Sequence, residues 1–337
     1  MLKARLGRTG LTVNKDGFGV LPLQRTAKND AVRILRKALD GGINFFDSAR
    51  AYSDSEEKIG AAFEKRRGEF VLATKTKAGT ADGFYKDLET SLAFLKTDYI
   101  DIYQFHNPSV LPRPGDGSGC YEAMLKARDQ GKIRFIGVTN HRLSVAKEAV
   151  ESGLYDTLQF PFNYLSAKEE EDLAGLAAEH NMGFIAMKGL SGGLITDIAA
   201  ARAYLAAWPF AVPIWGIQRE NELEELLRVM EEPALLSEEQ KRRIESDRAE
   251  LRGGFCRACG YCMPCPVGIE INTCARMSLL LRRMPPAPFL GEKWQKEMAK
   301  IDGCLHCLRC AARCPYGLDT PSLLEKNYQD YKKMLSI

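Results

Sequence analysis

Eight of the ten cysteines in the 337-residue sequence form two closely spaced groups in its last quarter. The first group, CRACGYCMPCP, runs from Cys256 to Pro266, and the second, CLHCLRCAARCP, runs from Cys304 to Pro315. The second group has the spacing C-x₂-C-x₂-C-x₃-C-P, and the last interval of the first group is one residue shorter. Thiolates at such short intervals are typical of metal sites.

This spacing predicts two [4Fe-4S] clusters. In bacterial-type ferredoxins, three cysteines of such a run bind one cluster, and the fourth, before proline, binds the other. We therefore predict two ligand sets, Cys256, Cys259, Cys262 and Cys314 for the first cluster and Cys304, Cys307, Cys310 and Cys265 for the second. The shortened interval leaves open which cluster Cys265 and Cys314 bind. Zinc is the alternative metal, although zinc sites usually use two separate cysteine pairs and not two triplets.

Three apolar segments earlier in the chain end in residues suited to acid–base chemistry. Asp47 follows NFF and precedes Tyr52 in DSARAY, Lys75 follows FVLAT, and His106 follows YIDIYQF. A lysine cation near a tyrosine stabilises the phenolate and lowers the tyrosine's pKa, and a carboxylate can pair with that lysine. Such a tyrosine can act as a general acid, and His106 could then orient a carbonyl oxygen.

The elements that must position these residues alternate regularly along the chain. Between residue 16 and about residue 231, eight short apolar segments, predicted as strands, alternate with eight segments of helical spacing. Eight βα units in this length match a TIM barrel, whose active site gathers at the carboxyl ends of its strands. A doubly wound sheet is the competing fold, but GFGVLPLQ after the first strand is not its Gly-rich fingerprint. The segment before the barrel predicts a hairpin that turns at Gly7–Gly10.

Composition and charge limit the class of protein. The sequence is 45% hydrophobic and 27% charged, which is ordinary for a folded globular chain. Its net charge of +3 does not indicate binding to nucleic acid or to an anionic membrane. The sequence has neither a run of 18 apolar residues nor a signal-peptide core at its start. We therefore expect a cytoplasmic protein whose cysteines are ligands and not disulfides.

We predict three regions in the chain. A (β/α)₈ barrel is expected over residues 1–232, a linker helix over 233–252, and a small, mainly α-helical, ferredoxin-like iron–sulfur domain over 253–337.

The barrel segments resemble those of the aldo-keto reductase family. FDSARAY is similar to the family's F-D-T-A-x-x-Y, and ATK and YQFHNP match the strand ends that supply its Lys and His. Further along the chain, IGVTN resembles the family's I-G-V-S-N, and LQFPFNYL resembles its Q-x-x-Y-N segment. The family reduces carbonyls with a nicotinamide hydride. The resemblance implies that Tyr52 is the proton donor, that Lys75 and Asp47 tune it, and that His106 orients the substrate. It also implies three contacts to the nicotinamide carboxamide: Thr139, Asn140 and Gln159.

Two segments differ from the family's pattern. Where the family often has a tyrosine that stacks on the nicotinamide, AMKGL places Met187. After the last strand the family has Q-L-E-E-N, whereas GIQRENELEEL has Glu222 for the Gln and Leu226 for the Asn. Three residues of this turn could still bind a phosphate at a helix N-terminus: Gly216, Gln218 and Arg219. An arginine here suits a 2′-phosphate, which favours NADPH over NADH.

A barrel followed by two cysteine runs resembles a ferredoxin-fused branch of the same family. A hydride carries two electrons, whereas an iron–sulfur cluster passes one, so the two chemistries need a converter, usually a flavin. Three arrangements stay open: a flavin bound at the barrel, a ferredoxin or flavoprotein partner that exchanges electrons through the clusters, or clusters that only stabilise their domain. The predicted function is reduction of a carbonyl or conjugated carbonyl. The alternative is an electron-transfer or scaffold protein with an inactive barrel.

Overall fold

A computed structural model of the chain describes residues 1–251, 254–284 and 286–335. The chain forms two compact units. The first contains residues 1–189 and 198–241, and the second contains residues 190–197 and the described residues from 242 onward.

The two compact units and the three predicted regions divide the chain at different residues. The division near the predicted linker falls at residue 241, and the segment 190–197, which belongs to the barrel in sequence, is part of the second unit. The predicted end of the linker at Arg252 and the predicted start of the iron–sulfur domain at Gly253 lie outside the described residues.

The chain begins with the predicted hairpin. Strand β1 (Lys3–Arg5) pairs antiparallel with strand β2 (Thr12–Asn14). Gly7 has a φ of +49°, and a Cβ atom at this position would lie 2.5 Å from the carbonyl oxygen of Asn181. The turn therefore requires glycine, because any side chain would collide with neighbouring backbone.

The first unit is a closed barrel of eight parallel strands, as predicted. Each strand pairs with the next in chain order, and the last strand pairs with the first to close the barrel. The barrel strands are β3 Gly17–Gly19, β4 Phe45–Asp47, β5 Val71–Thr76, β6 Ile100–His106, β7 Ile133–Thr139, β8 Thr157–Pro161, β9 Gly183–Met187 and β10 Ala211–Gly216. Apart from one or two intermediate or exposed positions in some strands, these strands are buried along their length, which explains their near-continuous apolar sequences.

The predicted helices alternate with these strands. They are α1 Lys28–Asp40, α2 Ser55–Phe63, α3 Ala81–Leu95, α4 Cys120–Asp129, α5 Leu143–Ser152, α6 Lys168–Glu179, α7 Ile198–Ala206 and α8 Glu220–Glu231. Helix α1 buries Ala31, Ile34, Leu35 and Ala38. This spacing of three and four residues places them on one face of the helix, so the other face can stay polar.

The predicted linker helix begins later than expected. Helix α9 runs from Glu238 to Leu251, so residues 233–237 are not helical. Ser237 and Gln240 form a reciprocal cap: the amide of Gln240 donates to Ser237 Oγ at 3.1 Å, and the amide of Ser237 donates to Gln240 Oε1 at 2.9 Å. This capping box fixes the start of the helix, and Pro233 lies outside it.

The second unit is mainly helical, as predicted. Its further helices are α10 Ile271–Cys274, α11 Met277–Arg283, α12 Ala287–Leu290, α13 Glu292–Ala299, α14 Arg309–Arg313 and α15 Thr320–Leu335. Its core includes Ile269, Met277, Met298 and Leu324, and five of the predicted cluster ligands pack against this core. Among the helices of the described residues, none is both long and apolar enough to span a membrane.

Candidate active site and cluster site

The strand register brings the predicted catalytic and nicotinamide-binding residues to one edge of the barrel. Asp47 is the last residue of β4 and His106 is the last residue of β6, and Lys75 is the next-to-last residue of β5. His106 is paired in register with Thr139, and Thr139 is paired with Gln159 on the following strand. Asp47, Lys75, His106 and Thr139 thus lie at the carboxyl ends of their strands, where TIM barrels carry their active sites, and Gln159 lies level with Thr139 in the middle of β8.

Lys75 and Asp47 form a buried ion pair. Lys75 Nζ donates to the two Asp47 carboxylate oxygens at 2.8 and 2.6 Å and to the Ser48 carbonyl at 2.5 Å. The two side chains are 1% and 3% exposed. Burial lowers the pKa of Lys75, and Asp47 opposes this shift; burial raises the pKa of Asp47, and Lys75 opposes it. The pair fixes the ammonium group in one position, because each charge is the other's main compensation.

Tyr52 lies beside this ammonium group. Lys75 Nζ is 5.2 Å from the centroid of the Tyr52 ring. The ring is half-buried, and it meets the His106 ring edge to face, with 5.6 Å between centroids. A turn after β4 positions the tyrosine, and within it the Tyr52 amide donates to the Ala49 carbonyl at 3.0 Å. The structure thus brings the four predicted catalytic residues together.

The surroundings of His106 favour its neutral imidazole form. Burial, followed by the positive charges of Lys75 and Lys77, lowers its pKa well below the ordinary value. Its Nδ1 atom is buried and has no hydrogen-bond partner among the described residues. A neutral imidazole carries one N–H donor, which can hydrogen-bond a substrate oxygen without transferring a full charge to it.

Gln104 is part of the site and was missed by the sequence analysis. Its Nε2 atom donates to Asp47 Oδ1 at 3.1 Å and to Gln159 Oε1 at 3.1 Å. Gln159 Nε2 in turn is 3.3 Å from Asp47 Oδ2. Each carboxylate oxygen of Asp47 therefore accepts from one amide side chain as well as from Lys75. The sequence carries one signal for this role: Gln104 is two residues before His106, so both side chains lie on the same side of the strand.

The predicted nicotinamide contacts have other partners in this structure. Asn140 is fully buried, and its side chain accepts from the amides of His141 and Arg142 and donates to the Pro108 carbonyl. Thr139 Oγ1 accepts from the amide of Asn107 at 3.2 Å. Met187 Sδ lies 3.8 Å from Gln159 Nε2. These side chains lie at the same strand ends as the acid–base group.

The predicted phosphate site carries a carboxylate. Glu222 Oε2 accepts from the amides of Gln218 and Arg219 at 2.8 and 3.0 Å, and Glu222 Oε1 pairs with the Arg219 guanidinium at 2.7 Å. Partial burial raises the pKa of Glu222, but the hydrogen bonds from Gln218 and Arg219 outweigh it and lower the pKa. Gly216 is exposed at the end of β10. The glutamate therefore uses the N–H groups and the cation that would bind a phosphate.

The cysteines of the second unit line two pockets. One pocket is lined by Cys256, Cys259, Cys262 and Cys314, together with residues that include Ala275 and Tyr316. The other is lined by Cys304, Cys307, Cys310 and Cys265, and Cys262 also reaches it. Each pocket thus contains one of the two predicted ligand sets, including the cysteine contributed by the other sequence group.

This donor set fits iron–sulfur clusters. Each pocket offers at least four thiols, and thiolates are the ligands of [4Fe-4S] clusters. Among the described residues, no three His, Cys, Asp or Glu side chains are arranged to hold a single metal ion. Cys120 and Cys274 line neither pocket and are buried at 1% and 0% exposure.

Comparison with known proteins gives a family for each part of the chain. The profile of the Aldo/keto reductase family matches residues 15–202. The profile of a 4Fe-4S dicluster domain matches residues 255–319, which include all eight predicted ligands.

Two curated relatives are named as an oxidoreductase and a dehydrogenase. The chain is 33% identical over 213 residues to the uncharacterized oxidoreductase YqkF of Bacillus subtilis, covering 58% of this chain and 67% of the relative. It is 32% identical over 211 residues to L-galactose dehydrogenase of Arabidopsis thaliana, covering 57% and 66%. The match thus spans about two thirds of the length of these relatives.

Solved structures share the fold. An aldo-keto reductase from Bacillus halodurans, in its holo form, superposes with a TM-score of 0.64 at 24% identity, covering 73% of this chain and 96% of that chain. An aldo-keto reductase from Klebsiella pneumoniae in complex with NADPH superposes with a TM-score of 0.62 at 25% identity, covering 73% and 95%. The chain belongs to the aldo/keto reductase family and carries a 4Fe-4S dicluster domain after its barrel.

Proposed function

We propose that the barrel reduces a carbonyl or conjugated carbonyl substrate with a nicotinamide hydride, and that Tyr52 donates the proton. One observation carries this proposal: the Tyr52 ring lies close to both the Lys75 ammonium group, at 5.2 Å, and the His106 imidazole, at 5.6 Å. NADPH or NADH, when bound, supplies the hydride. One hydride and one proton convert the carbonyl to an alcohol, so the protein itself needs to supply only the proton and the orientation.

Each residue of the group has a separate role in this proposal. Lys75, fixed by Asp47 and the Ser48 carbonyl, stabilises the negative charge that develops on the Tyr52 oxygen as it gives up its proton. His106 donates a hydrogen bond to the carbonyl oxygen and directs it toward Tyr52. Gln104 and Gln159 keep the Asp47 carboxylate in place and so keep Lys75 in position.

The nicotinamide site is assigned to the same strand ends. Seven residues are proposed to contact the dinucleotide: Thr139, Asn140, Gln159, Met187, Gly216, Gln218 and Arg219. Arg219 favours NADPH, because a guanidinium can bind a 2′-phosphate with two hydrogen bonds. Before it can do so, Glu222 must release Arg219 and the two amides that it now occupies.

The second unit is proposed to hold two [4Fe-4S] clusters with the ligand sets found around the two pockets. Such clusters, when bound, supply one-electron transfer. We propose that they exchange electrons with a ferredoxin or flavoprotein, and that a flavin, bound at the barrel or in the partner, links this exchange to hydride chemistry. The protein is assigned to the cytoplasm, where thiols stay reduced and available as ligands.

The second candidate function is an electron-transfer or scaffold protein with an inactive barrel. Two features favour it. Met187 stands where the family often has an aromatic ring, and Glu222 occupies the phosphate site. Under this proposal the protein binds no nicotinamide.

The two candidates are separated by following the hydride. The anaerobically purified protein is incubated with a panel of aldehydes, ketones and enones and with NADPH deuterated at C4 of the nicotinamide. Carbonyl reduction by the barrel places deuterium on the product carbon at a rate that depends on Tyr52. A protein that neither oxidises NADPH nor shows any change in nucleotide fluorescence has the inactive barrel of the second candidate.

A further inference from the structure

Arg276 is a buried cation in the cysteine unit. Its side chain is 2% exposed, and it directly precedes helix α11. Its Nη2 atom donates to the carbonyl of Gly192 at 2.8 Å, whereas Nε and Nη1 have no hydrogen-bond partner among the described residues. A guanidinium has five N–H donors, and leaving them without acceptors in the protein interior costs free energy. The N–H groups on Nε and Nη1 of Arg276 therefore need further hydrogen-bond acceptors.

Arg283, the last residue of helix α11, differs from Arg276 in that it is paired with carboxylates. Its Nη2 atom pairs with Asp247 at 2.6 Å and with Glu250 at 2.8 Å. Within residues 1–251, 254–284 and 286–335, Arg276 forms no such pair with a carboxylate. A buried charge without a partner is strongly unfavourable, so a negative group other than a carboxylate is needed nearby.

A proposed cluster ligand, Cys256, lies in the neighbourhood of Arg276. Burial lowers the pKa of Arg276, and the neighbouring Cys256 thiolate opposes this shift. Ala275, the residue before Arg276, lines the pocket formed by the first ligand set. Arg276 is thus the next residue in the chain after one that lines this pocket.

The contacts around Gly192 bring the same groups together. A Cβ atom on Gly192 would lie 3.0 Å from Arg276 Nη1 and 3.9 Å from the Cβ atom of Ala258. The amide of Ala258 in turn donates to Cys256 Sγ at 3.4 Å. Gly192 therefore lies against both the Arg276 guanidinium and the loop that carries Cys256, and a side chain at Gly192 would crowd the guanidinium.

We propose that Arg276 is a hydrogen-bond donor and counter-charge to the [4Fe-4S] cluster of Cys256, Cys259, Cys262 and Cys314, and that it raises the reduction potential of this cluster. This inference rests on the proposed ligand set and does not depend on the proposed carbonyl reduction. A cluster held by four thiolates gains a further negative charge when it takes up one electron. A nearby cation and N–H donors stabilise the reduced form more than the oxidised form, so they favour reduction.

The main test is a redox titration of the anaerobic holoprotein, followed by EPR, with dithionite as the reductant. Arg276→Met removes both the charge and the donors, and it should make reduction of one cluster about tenfold less favourable, a fall of about 59 mV for a one-electron couple. The other cluster should keep its potential. Arg276→Lys keeps the charge and should give a smaller fall. Arg282→Met is the matched control, because it removes an exposed arginine of the same helix and should change neither potential.

Iron and sulfide analysis accompanies every titration. If Arg276→Met retains the wild-type iron content and both wild-type potentials, the proposal is wrong. The proposal is supported if Arg276→Met loses the iron of one cluster while Arg276→Lys keeps the iron of both clusters and lowers the potential of one. Zinc in place of iron in the wild-type protein would refute the proposed cluster ligands. If Arg276→Met shifts the potential but the wild-type protein reduces no carbonyl, the proposed function is wrong and the inference about Arg276 stands.

A second measurement uses the wild-type chain and does not depend on the stability of any variant. The protein is produced with arginine labelled with ¹⁵N in the guanidino group, reduced with dithionite and studied by pulsed EPR. We expect a weak ¹⁵N coupling to one reduced cluster that disappears in Arg276→Lys. A labelled wild-type protein without such a coupling would overturn the proposal.

Discussion

Replacing Tyr52 by phenylalanine removes one hydroxyl group and keeps the ring. The ring contacts with His106, at 5.6 Å, and with Lys75 Nζ, at 5.2 Å, do not involve the hydroxyl and should persist. The side chain is half-buried, so we expect the free energy of unfolding to change by no more than about 0.5 kcal/mol. The affinity for nicotinamide should also stay close to that of the wild type.

The rate of carbonyl reduction should fall much further. A general acid typically contributes about 10²–10⁴-fold, which corresponds to about 2.7–5.4 kcal/mol of transition-state stabilisation. The assay is anaerobic NADPH oxidation at saturating substrate, together with single-turnover deuteride transfer. Both rates should fall by the same factor if proton donation occurs in the hydride-transfer step.

Tyr85→Phe is the matched control for this variant. Tyr85 lies on helix α3 and packs edge to face against Phe84, and it is outside the proposed catalytic group. Its substitution should leave the rate unchanged. If Tyr52→Phe also reduces the substrate at the wild-type rate, Tyr52 is not the proton donor and the proposed mechanism is wrong.

Three further predictions test other parts of the structure. Lys75→Met should lower the free energy of unfolding by about 3–5 kcal/mol in urea titrations, because Asp47 is left as an unpaired buried charge. Adding Asp47→Asn to this variant should recover most of the lost stability. If it recovers none, the two side chains are not energetically coupled. Cys314→Ala should reduce the iron content from about eight to about four atoms per chain, whereas Cys120→Ala should keep all eight; eight atoms in Cys314→Ala would remove that cysteine from the ligand set. Glu222→Gln should tighten NADPH binding by about two- to fivefold and NADH binding less, because it removes the negative charge that pairs with Arg219 and leaves this cation for the 2′-phosphate. An unchanged NADPH affinity in fluorescence titrations would place the phosphate elsewhere.

Much of the fold was predictable from local patterns. Parallel strands that are buried on both faces have near-continuous apolar sequences, so segments such as YIDIYQFH were recognisable as strands. Functional residues at strand ends, such as Asp47 and His106, could be grouped because a barrel brings all carboxyl ends to one edge. The cysteine spacing also led to ligand sets that match the two pockets.

Other features depend on contacts between distant parts of the chain. Gln104 is an uncharged residue within a strand, and only the register shows that it connects Asp47 to Gln159. The segment 190–197 joins the second unit through contacts such as the hydrogen bond from Arg276 to Gly192, which no local pattern indicates. In the sequence alone, Glu222 is likewise only a departure from a motif, whereas in the structure it caps helix α8.

The proposed electron path through the clusters has a direct test. Carbonyl reduction consumes two electrons and two protons, and dithionite-reduced viologen can supply the electrons one at a time without any nicotinamide. The measurement is anaerobic viologen oxidation by the holoprotein, with and without added FMN, on each substrate that NADPH reduces. We predict substrate-dependent viologen oxidation that is lost in Cys314→Ala. Viologen that stays reduced on all of these substrates, with and without FMN, would contradict the account and leave the clusters a structural role.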